Sequence, residues 1–257
     1  MLFRTVYGPE LEAVYRYVRE CNARGICPQK KDLCAAFIPR RPDGTSPPMQ
    51  NVDDALAFLK SARLLGEGDG YRARAWMPGA PFAVQTLYAL RRIEKGEEPP
   101  EHTVDPLYTL LLTKVFIQPD RLFVPDLYAE ANQLRPVRTA GGLSREKIQA
   151  WKRVMEFLGV GRRVGGGFLC LYSPSLVTAV LVRWGDRSGT LQSFLEDGFD
   201  RVLPYARRDG DLARTLRIPL TYLADRGQVE LFPLQDSPTR PYWGRRRYRG
   251  IAWREGP

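Results

Sequence analysis

Residues 154–161 read VMEFLGVG, and two other stretches of the chain follow the same pattern. They are residues 58–65, which read FLKSARLL, and residues 222–229, which read YLADRGQV. In two of these stretches a glycine, Gly159 or Gly227, stands where an amphipathic helix has to end in a left-handed residue, and an apolar residue then begins a strand. Arg63 takes that place in the stretch nearest the N-terminus, which departs from the pattern there. We therefore expect one arrangement, a helix followed by a hairpin, to occur three times.

The sequence around residues 154–161 gives the clearest example of this arrangement. Ser144 is placed to cap the helix, and apolar residues at helical spacing face inward, namely Ile148, Trp151, Val154, Met155 and Leu158. Residues 161–167 form the predicted hairpin turn, and residues 168–172 return from it. In the first stretch the helix begins near Asn51, residues 66–70 turn, residues 71–76 return, and the inward residues are Val52, Ala55, Leu56 and Leu59.

Other helices are predicted before each of these junctions. Residues 9–23 place Leu11, Val14, Tyr15 and Val18 on one helical face, and shorter helices are expected at residues 29–37, 81–95 and 125–134. A strand is expected at residues 122–124, and a loop at residues 135–142. Nearer the C-terminus, helices are predicted at residues 175–184, 190–205 and 211–217, and strands at residues 228–232 and 248–253. A helix starting at Pro219 is favoured over one running through it, because proline has no N–H to donate.

This order of helices followed by a hairpin resembles the winged helix-turn-helix superfamily, and the resemblance covers most of the chain. It implies a mainly α fold with small β-hairpins (α+β), built from tandem winged-helix modules. The first module comprises residues 1–79, a connecting helix and linker comprise residues 80–102, and the second module comprises residues 103–173. The third comprises residues 174–257; it is a degenerate winged-helix-like module with a long basic hairpin tip.

The composition of the 257-residue chain favours a polyanionic partner. Hydrophobic residues make up 44% and charged residues 26% of the sequence, which is ordinary for a folded protein. The net charge of +10 is not ordinary, and the positive excess is spread over all three modules. Arginine is far commoner than lysine, and its flat fork of donors matches phosphate oxygens. A distributed positive field of this kind suits nucleic acid.

Several function classes find little support in the sequence. No apolar run is long enough for a membrane span, and the N-terminus lacks the apolar core of a signal peptide. Four cysteines in a chain of this length predict reduced thiols and a cytoplasmic protein, nucleoid-associated if bacterial. The cysteine spacing is not that of a zinc site, and His102 is the only histidine. We expect no metal, no cofactor and no enzymatic activity, because no nucleophile–base or Walker-type motif occurs.

The second module carries the best candidate contacts to nucleic acid. A recognition helix enters a groove by its N-terminal end, and positive charge is useful there. Arg145 and Lys147 lie at that end of the third helix of this module. Further candidates are Lys152 and Arg153 along the helix, with Arg162 and Arg163 at the wing tip. In the first module, Asp53 and Asp54 occupy the corresponding helix start, so its candidates are Arg72 and Arg74 on the wing.

The tip of the third module, residues 233–250, is the most positive segment of the chain. The tip combines five arginines with three aromatic residues, and no acid follows Asp236 within it. Such a segment is suited to entering a minor groove or to stacking bases while neutralising phosphates. The candidate residues here are Arg240, Tyr242, Trp243, Arg245, Arg246, Arg247 and Arg249.

These patterns predict a nucleic-acid-binding protein, with double-stranded DNA the favoured partner, or the DNA-reading subunit of a larger complex. Two alternatives stay open. Tandem winged-helix proteins associated with chromosome-organising ATPases are similar in layout and grip a partner chain (kleisin-gripping proteins). The acidic start of the third helix of the first module favours such a role, and so does the apolar connecting helix with Phe82, Leu87 and Leu90. RNA or single-strand binding is the other alternative, and it depends on the aromatic residues of the tip.

Overall fold

The computed structural model describes residues 6–37, 50–97, 110–118, 121–139, 141–185, 187–205, 207–208, 211–233 and 248–254. Within these ranges the protein is mainly helical, with small antiparallel sheets of two or three strands. The predicted α+β class agrees with this architecture. Six of the candidate residues of the tip, Arg240, Tyr242, Trp243, Arg245, Arg246 and Arg247, lie outside the described residues.

The described part of the first module contains three helices and one hairpin. Helices α1 (Gly8–Ala23), α2 (Lys30–Phe37) and α3 (Gln50–Ser61) precede strands β1 (Leu65–Glu67) and β2 (Tyr71–Ala73). The strands pair antiparallel, with Leu65 opposite Ala73. All of the apolar residues predicted to face inward from α1 and α3 are buried. Their spacing of three and four residues fixed which face of each helix enters the core.

Unlike the described part of the first module, the second module has a strand before its last three helices. The connecting helix α4 (Phe82–Glu94) comes first. A π-helical turn (Leu112–Phe116) then leads to β3 (Phe123–Val124), which is followed by α5 (Leu127–Gln133), α6 (Arg135–Thr139) and α7 (Arg145–Phe157). Strands β4 (Arg162–Val164) and β5 (Gly167–Leu169) follow, in the sheet order β3-β5-β4. The loop predicted at residues 135–142 is incorrect in its first half, because Arg135–Thr139 forms a helical turn with Val137 buried.

The third module repeats the strand order of the second. Helix α8 (Pro174–Arg183) and strand β6 (Ser188–Thr190) lead into α9 (Leu191–Ser193), which continues as a π-helical segment (Phe194–Phe199). The short strands β7 (Arg207–Arg208) and β8 (Asp211–Leu212) precede α10 (Arg214–Asp225), β9 (Val229–Phe232) and β10 (Gly250–Trp253). The sheet order is β6-β10-β9, so that the first strand again pairs with the last. The helix predicted over residues 190–205 is shorter in the structure.

The three junctions identified in the sequence have the same backbone geometry. Gly159 and Gly227 have φ angles of 79° and 69°, and Arg63 has a φ of 58°. In each case the next residue donates its N–H to a carbonyl five residues back, with N–O distances of 2.8 Å for Leu64, 2.9 Å for Val160 and 3.0 Å for Gln228. Arg63 therefore ends its helix as the two glycines do, although its Cβ makes the left-handed conformation costly.

Pro219 lies inside α10, which corrects the expectation of a new helix at that residue. A proline in this position leaves the carbonyl of Thr215 without its helical donor. The backbone N–H of Tyr172 donates to that carbonyl oxygen at 3.2 Å. Pro219 is itself buried, and the Tyr172 hydroxyl donates to the Pro204 carbonyl oxygen at 2.8 Å. A tertiary hydrogen bond thus replaces the helical one that proline cannot form.

Helix α4 packs between modules rather than spanning a gap. Its Phe82 ring lies 5.4 Å from the ring of Tyr15 in α1 and 6.4 Å from the ring of Phe157 in α7, measured between centroids. Gly8 makes room at this point, since a Cβ there would lie 2.1 Å from the Cγ atom of Phe157. The buried apolar residues of the described chain accordingly form one continuous cluster.

Ionic contacts fasten α4 to the third module. Two nitrogens of the half-buried Arg91 guanidinium donate to Asp200, one to its carbonyl oxygen at 3.1 Å and one to its carboxylate at 2.6 Å. Lys95 Nζ lies 2.9 Å from the same carboxylate. Arg183 of α8 donates to the carbonyl oxygens of Pro78 and Gly79 at the end of the first module. All three modules are therefore joined through specific polar contacts as well as through the core.

Candidate nucleic-acid interface

The start of α7 presents the cations predicted there. Ser144 caps the helix, as expected, by accepting a hydrogen bond from the backbone N–H of Lys147 at 3.4 Å. Arg145 is exposed, and its guanidinium carbon lies 4.5 Å from the centre of the Tyr128 ring. The ring restrains the arginine without neutralising it. Lys147 is half-buried.

The loop that leads into α7 is fixed to the preceding helix by Asn132. The Asn132 side chain accepts from the Leu143 N–H at 2.8 Å and donates to the Leu143 carbonyl oxygen at 3.2 Å. Gly142 has a φ of 82°, which a residue with a Cβ adopts only at a cost. This arrangement fixes the position of the α7 start relative to α5 and α6.

Two arginines on α6 were missed by the sequence reasoning. Arg135 and Arg138 are both exposed on this short helix, immediately before the start of α7. Among the described residues, none of Arg135, Arg138, Lys147 and Arg162 forms an ion pair. The pattern Arg-Pro-Val-Arg, with a proline and a valine between two cations, was the available signal. It was overlooked because the segment was expected to be a loop.

Lys152 is a correction to the predicted contact surface. Its side chain is only 3% exposed, and its Nζ donates to the Gly166 carbonyl oxygen at 2.7 Å. Burial lowers the pKa of this ammonium group, although the nearby Asp126 carboxylate opposes the shift. The cation therefore holds the wing turn against α7 and does not face a ligand.

The remaining two cations of α7 and its wing are partly engaged within the chain. Arg153 lies with its guanidinium carbon 4.5 Å from the centre of the Tyr7 ring in the first module. Arg163 is exposed, but its Nε lies 2.5 Å from Oε2 of Glu156, and its backbone N–H donates to Oε1 of the same carboxylate at 3.0 Å. Arg153 is accordingly an intermodule contact, and the charge of Arg163 is offset. Arg162 is also exposed, and it forms no ion pair with the described residues.

The first module offers a weaker surface. Arg72 and Arg74 are exposed on and just after β2, as predicted. The start of α3 is acidic, and its Asp53 is paired with Lys30 at 2.7 Å. The hydrogen bond to Asp53 raises the pKa of Lys30, so this pairing favours the charged lysine. The helix that corresponds to α7 in this module therefore has no net cationic end.

In the third module the structure describes only one candidate of the tip. Arg249 is half-buried beside β10, and its backbone N–H donates to the Phe232 carbonyl oxygen at 3.1 Å. Its carbonyl oxygen accepts from the Leu191 N–H at 2.6 Å. The backbone of this residue thus extends the sheet β6-β10-β9 at the base of the tip.

The described residues contain no group of three or more histidine, cysteine, aspartate or glutamate side chains placed to hold a metal ion. No helix in the described ranges is long and apolar enough to cross a bilayer. The chain gave no match when it was compared with protein-family models, with curated proteins and with solved structures.

Proposed function

We propose that this chain binds double-stranded DNA, alone or as the DNA-reading subunit of a larger complex, and that its three modules are tandem winged helices. The support for the fold is that, in both the second and the third module, a strand and a short helix come before a longer helix, which leads into two further strands. In both three-stranded sheets the first strand pairs with the last. That order places one helix and one hairpin side by side, which is how such domains dock on a duplex.

A single observation carries the functional part of the proposal. The second module places Arg135, Arg138, Arg145 and Lys147 on consecutive elements around the Asn132 contact, with Arg162 on the adjoining wing. Cations without carboxylate partners retain their full attraction for phosphate. Unpaired arginines on helix starts and hairpins therefore favour a polyphosphate ligand.

The protein-gripping alternative loses one of its supports. Phe82, Leu87 and Leu90 of α4, which were expected to offer an apolar docking face, are buried within the chain. They pack against the modules on either side and are not available to a partner. We do not propose an enzymatic role, because no arrangement of catalytic groups in the described residues suggests one.

Binding across a salt series tests the proposal. The variant R135A/R138A/R145A removes three unpaired cations, and R16A/R24A/R254A removes three exposed arginines that are each paired with a glutamate. Both variants lose the same charge. Each phosphate contact adds about −0.9 to the slope of log affinity against log salt, so the first variant should flatten the slope by up to about 2.7.

The control variant should leave that slope nearly unchanged. The ligands are a mixed-sequence duplex, its single strands and an RNA of the same sequence, each followed by fluorescence anisotropy. A second test changes Arg245, Arg246 and Arg247 together to alanine and should weaken duplex binding. If wild type binds none of the three ligands at low salt, the proposal is wrong. Tighter binding to single strands or RNA than to the duplex would also contradict it.

A further inference from the structure

Helix α10 occupies the same place in the third module that α7 occupies in the second. It follows the short strands β7 and β8, and it leads directly into strands β9 and β10, between which the Arg-rich tip lies in the sequence. Its inner face is fully used in the core by the buried residues Thr215, Leu216, Pro219, Leu220 and Leu223. The outer face is therefore fixed in orientation.

The outer face of α10 carries a row of exposed side chains, two of them apolar, that the core does not explain. Arg214, Ile218 and Tyr222 follow one another at intervals of four residues and so line up along the helix. Ile218 is 40% exposed and Tyr222 is 45% exposed. Large apolar side chains exposed side by side commonly mark a contact surface.

Positive charge surrounds this row. Arg214 is exposed at its beginning, Arg217 is half-buried beside it, and the guanidinium carbon of Arg226 lies 5.2 Å from the centre of the Tyr222 ring. Neither Arg214 nor Arg217 forms an ion pair with any residue that the structure describes. Asp225 is the single acidic residue of the helix, and it lies in the last turn. A ligand that is complementary to this face therefore carries apolar groups bordered by negative charges.

Duplex DNA offers that combination in its major groove. The C5-methyl group of thymine is the apolar group on the base edges there, and phosphates border the groove on both sides. The major groove of A-form RNA is too deep and narrow for a helix to read. We infer that Ile218 and Tyr222 of α10 contact thymine methyl groups in the major groove, with Arg214 beside the bordering phosphates. This inference deepens the proposed function and depends on it.

The second and third modules then have different tasks in binding DNA. The cations of the second module bind phosphates and therefore give affinity without base preference. The α10 row gives the preference for thymine, because an isoleucine side chain that leaves water on meeting a methyl group gains free energy that other bases do not supply. The Arg-rich tip follows β9 in the same module, and its arginines add to the positive charge of that module.

Replacing thymine by uracil in the duplex tests this directly. The exchange removes the methyl group and leaves base pairing and phosphate charge unchanged. Wild type should bind a mixed-sequence thymine duplex about fourfold more tightly than its uracil counterpart for each methyl group contacted. The variant I218S/Y222S should bind both duplexes equally and should match wild type on the uracil duplex.

The matched control is Ile26→Ser, which removes an aliphatic side chain that is 55% exposed in the first module. It should retain the full preference for thymine. Equal binding of both duplexes by wild type would overturn the inference while leaving the proposed function intact, and so would a thymine preference that survives in I218S/Y222S. Loss of a co-purifying acidic protein in that variant, with equal duplex binding, would reassign the row to protein docking. Absence of any duplex binding would overturn both proposals together.

Discussion

Lys152 Nζ donates a hydrogen bond to the Gly166 carbonyl oxygen at 2.7 Å, and so a cation of helix α7 holds the hairpin that follows the helix. The wing strands β4 and β5 are only three residues long. Such short strands are weakly held by their own hydrogen bonds, so an anchor beneath the turn matters for their order.

The substitution Lys152→Met separates an anchoring role from a phosphate contact. It keeps the aliphatic stem and removes the donor, so amide protons of residues 162–169 should exchange faster with solvent. The salt dependence of DNA binding should stay unchanged. Arg162→Met serves as the comparison, and it should flatten the slope by about 0.9. A similar flattening in Lys152→Met would show that the lysine reaches phosphate.

The substitution Arg63→Gly should stabilise the protein. Arg63 has a φ of 58°, and relief of the left-handed strain is worth about 1 kcal/mol. The backbone carbonyl that accepts from the Trp76 indole N–H is retained in this variant. The free energy of unfolding from urea titration measures the gain.

Gly227→Ala provides the opposite change at the equivalent position of the third module. Gly227 has a φ of 69°, and a Cβ there meets no atom within 4 Å, so only the backbone is perturbed. This variant should lose about 1 kcal/mol. Two variants that shift stability in the same direction would show that these helix ends are not equivalent.

Gly8→Ala should weaken the packing between the first and second modules. The added Cβ would lie 2.1 Å from Cγ and 2.4 Å from Cβ of Phe157, so the ring cannot simply rotate away. Overpacking of this kind costs about 1–3 kcal/mol. Gly68→Ala is the control, because a Cβ at Gly68 meets open space.

A double variant locates the cost of Gly8→Ala at that contact. Phe157→Ala removes the ring, so combining it with Gly8→Ala should cost less than the sum of the two single changes. Thermal unfolding of the four proteins gives the coupling energy. Strict additivity would mean that the strain arises elsewhere.

Alkaline pH should destabilise the fold through Cys170. Burial raises the pKa of its thiol to about 12. An unfolded thiol loses its proton near pH ~8.5, so the native state holds a proton that the unfolded state has lost. The stabilisation is present below about pH 8.5 and is lost as the pH rises towards about 12. Cys170→Ala should remove this part of the decline.

Thiol labelling gives a second measurement of the same property. Cys21, Cys27 and Cys34 are half-exposed and should react with an alkylating reagent in the native protein at mildly alkaline pH. Cys170 should react only after urea is added. Labelling of all four thiols at similar native rates would contradict the burial of Cys170.

The sequence predicted the helices best where their apolar spacing was regular. For α1, α3 and α7 the inward residues are those expected from periodicity, and Ser144 caps α7 as predicted. The glycine positions after two helices were also identified. These features depend on residues close together in the chain, and so a single sequence reveals them.

Features that depend on distant residues could not be predicted in the same way. Ser188–Thr190 has no apolar alternation and becomes strand β6 only by pairing with β10, which lies about sixty residues later. Pro219 stays within α10 because Tyr172 supplies the missing donor. Lys152 looked like a surface cation because the sequence does not show that the wing covers it. In each case the deciding partner comes from another element.

The aromatic contacts of Phe82 with Tyr15 and Phe157 bear on how the molecule responds to a ligand. Close-packed rings cannot slide past one another freely. A shift of α7 towards α4 would press Phe157 against Phe82, and Phe82 in turn against Tyr15 in α1. A movement of the second module at this contact is consequently transmitted to the first module.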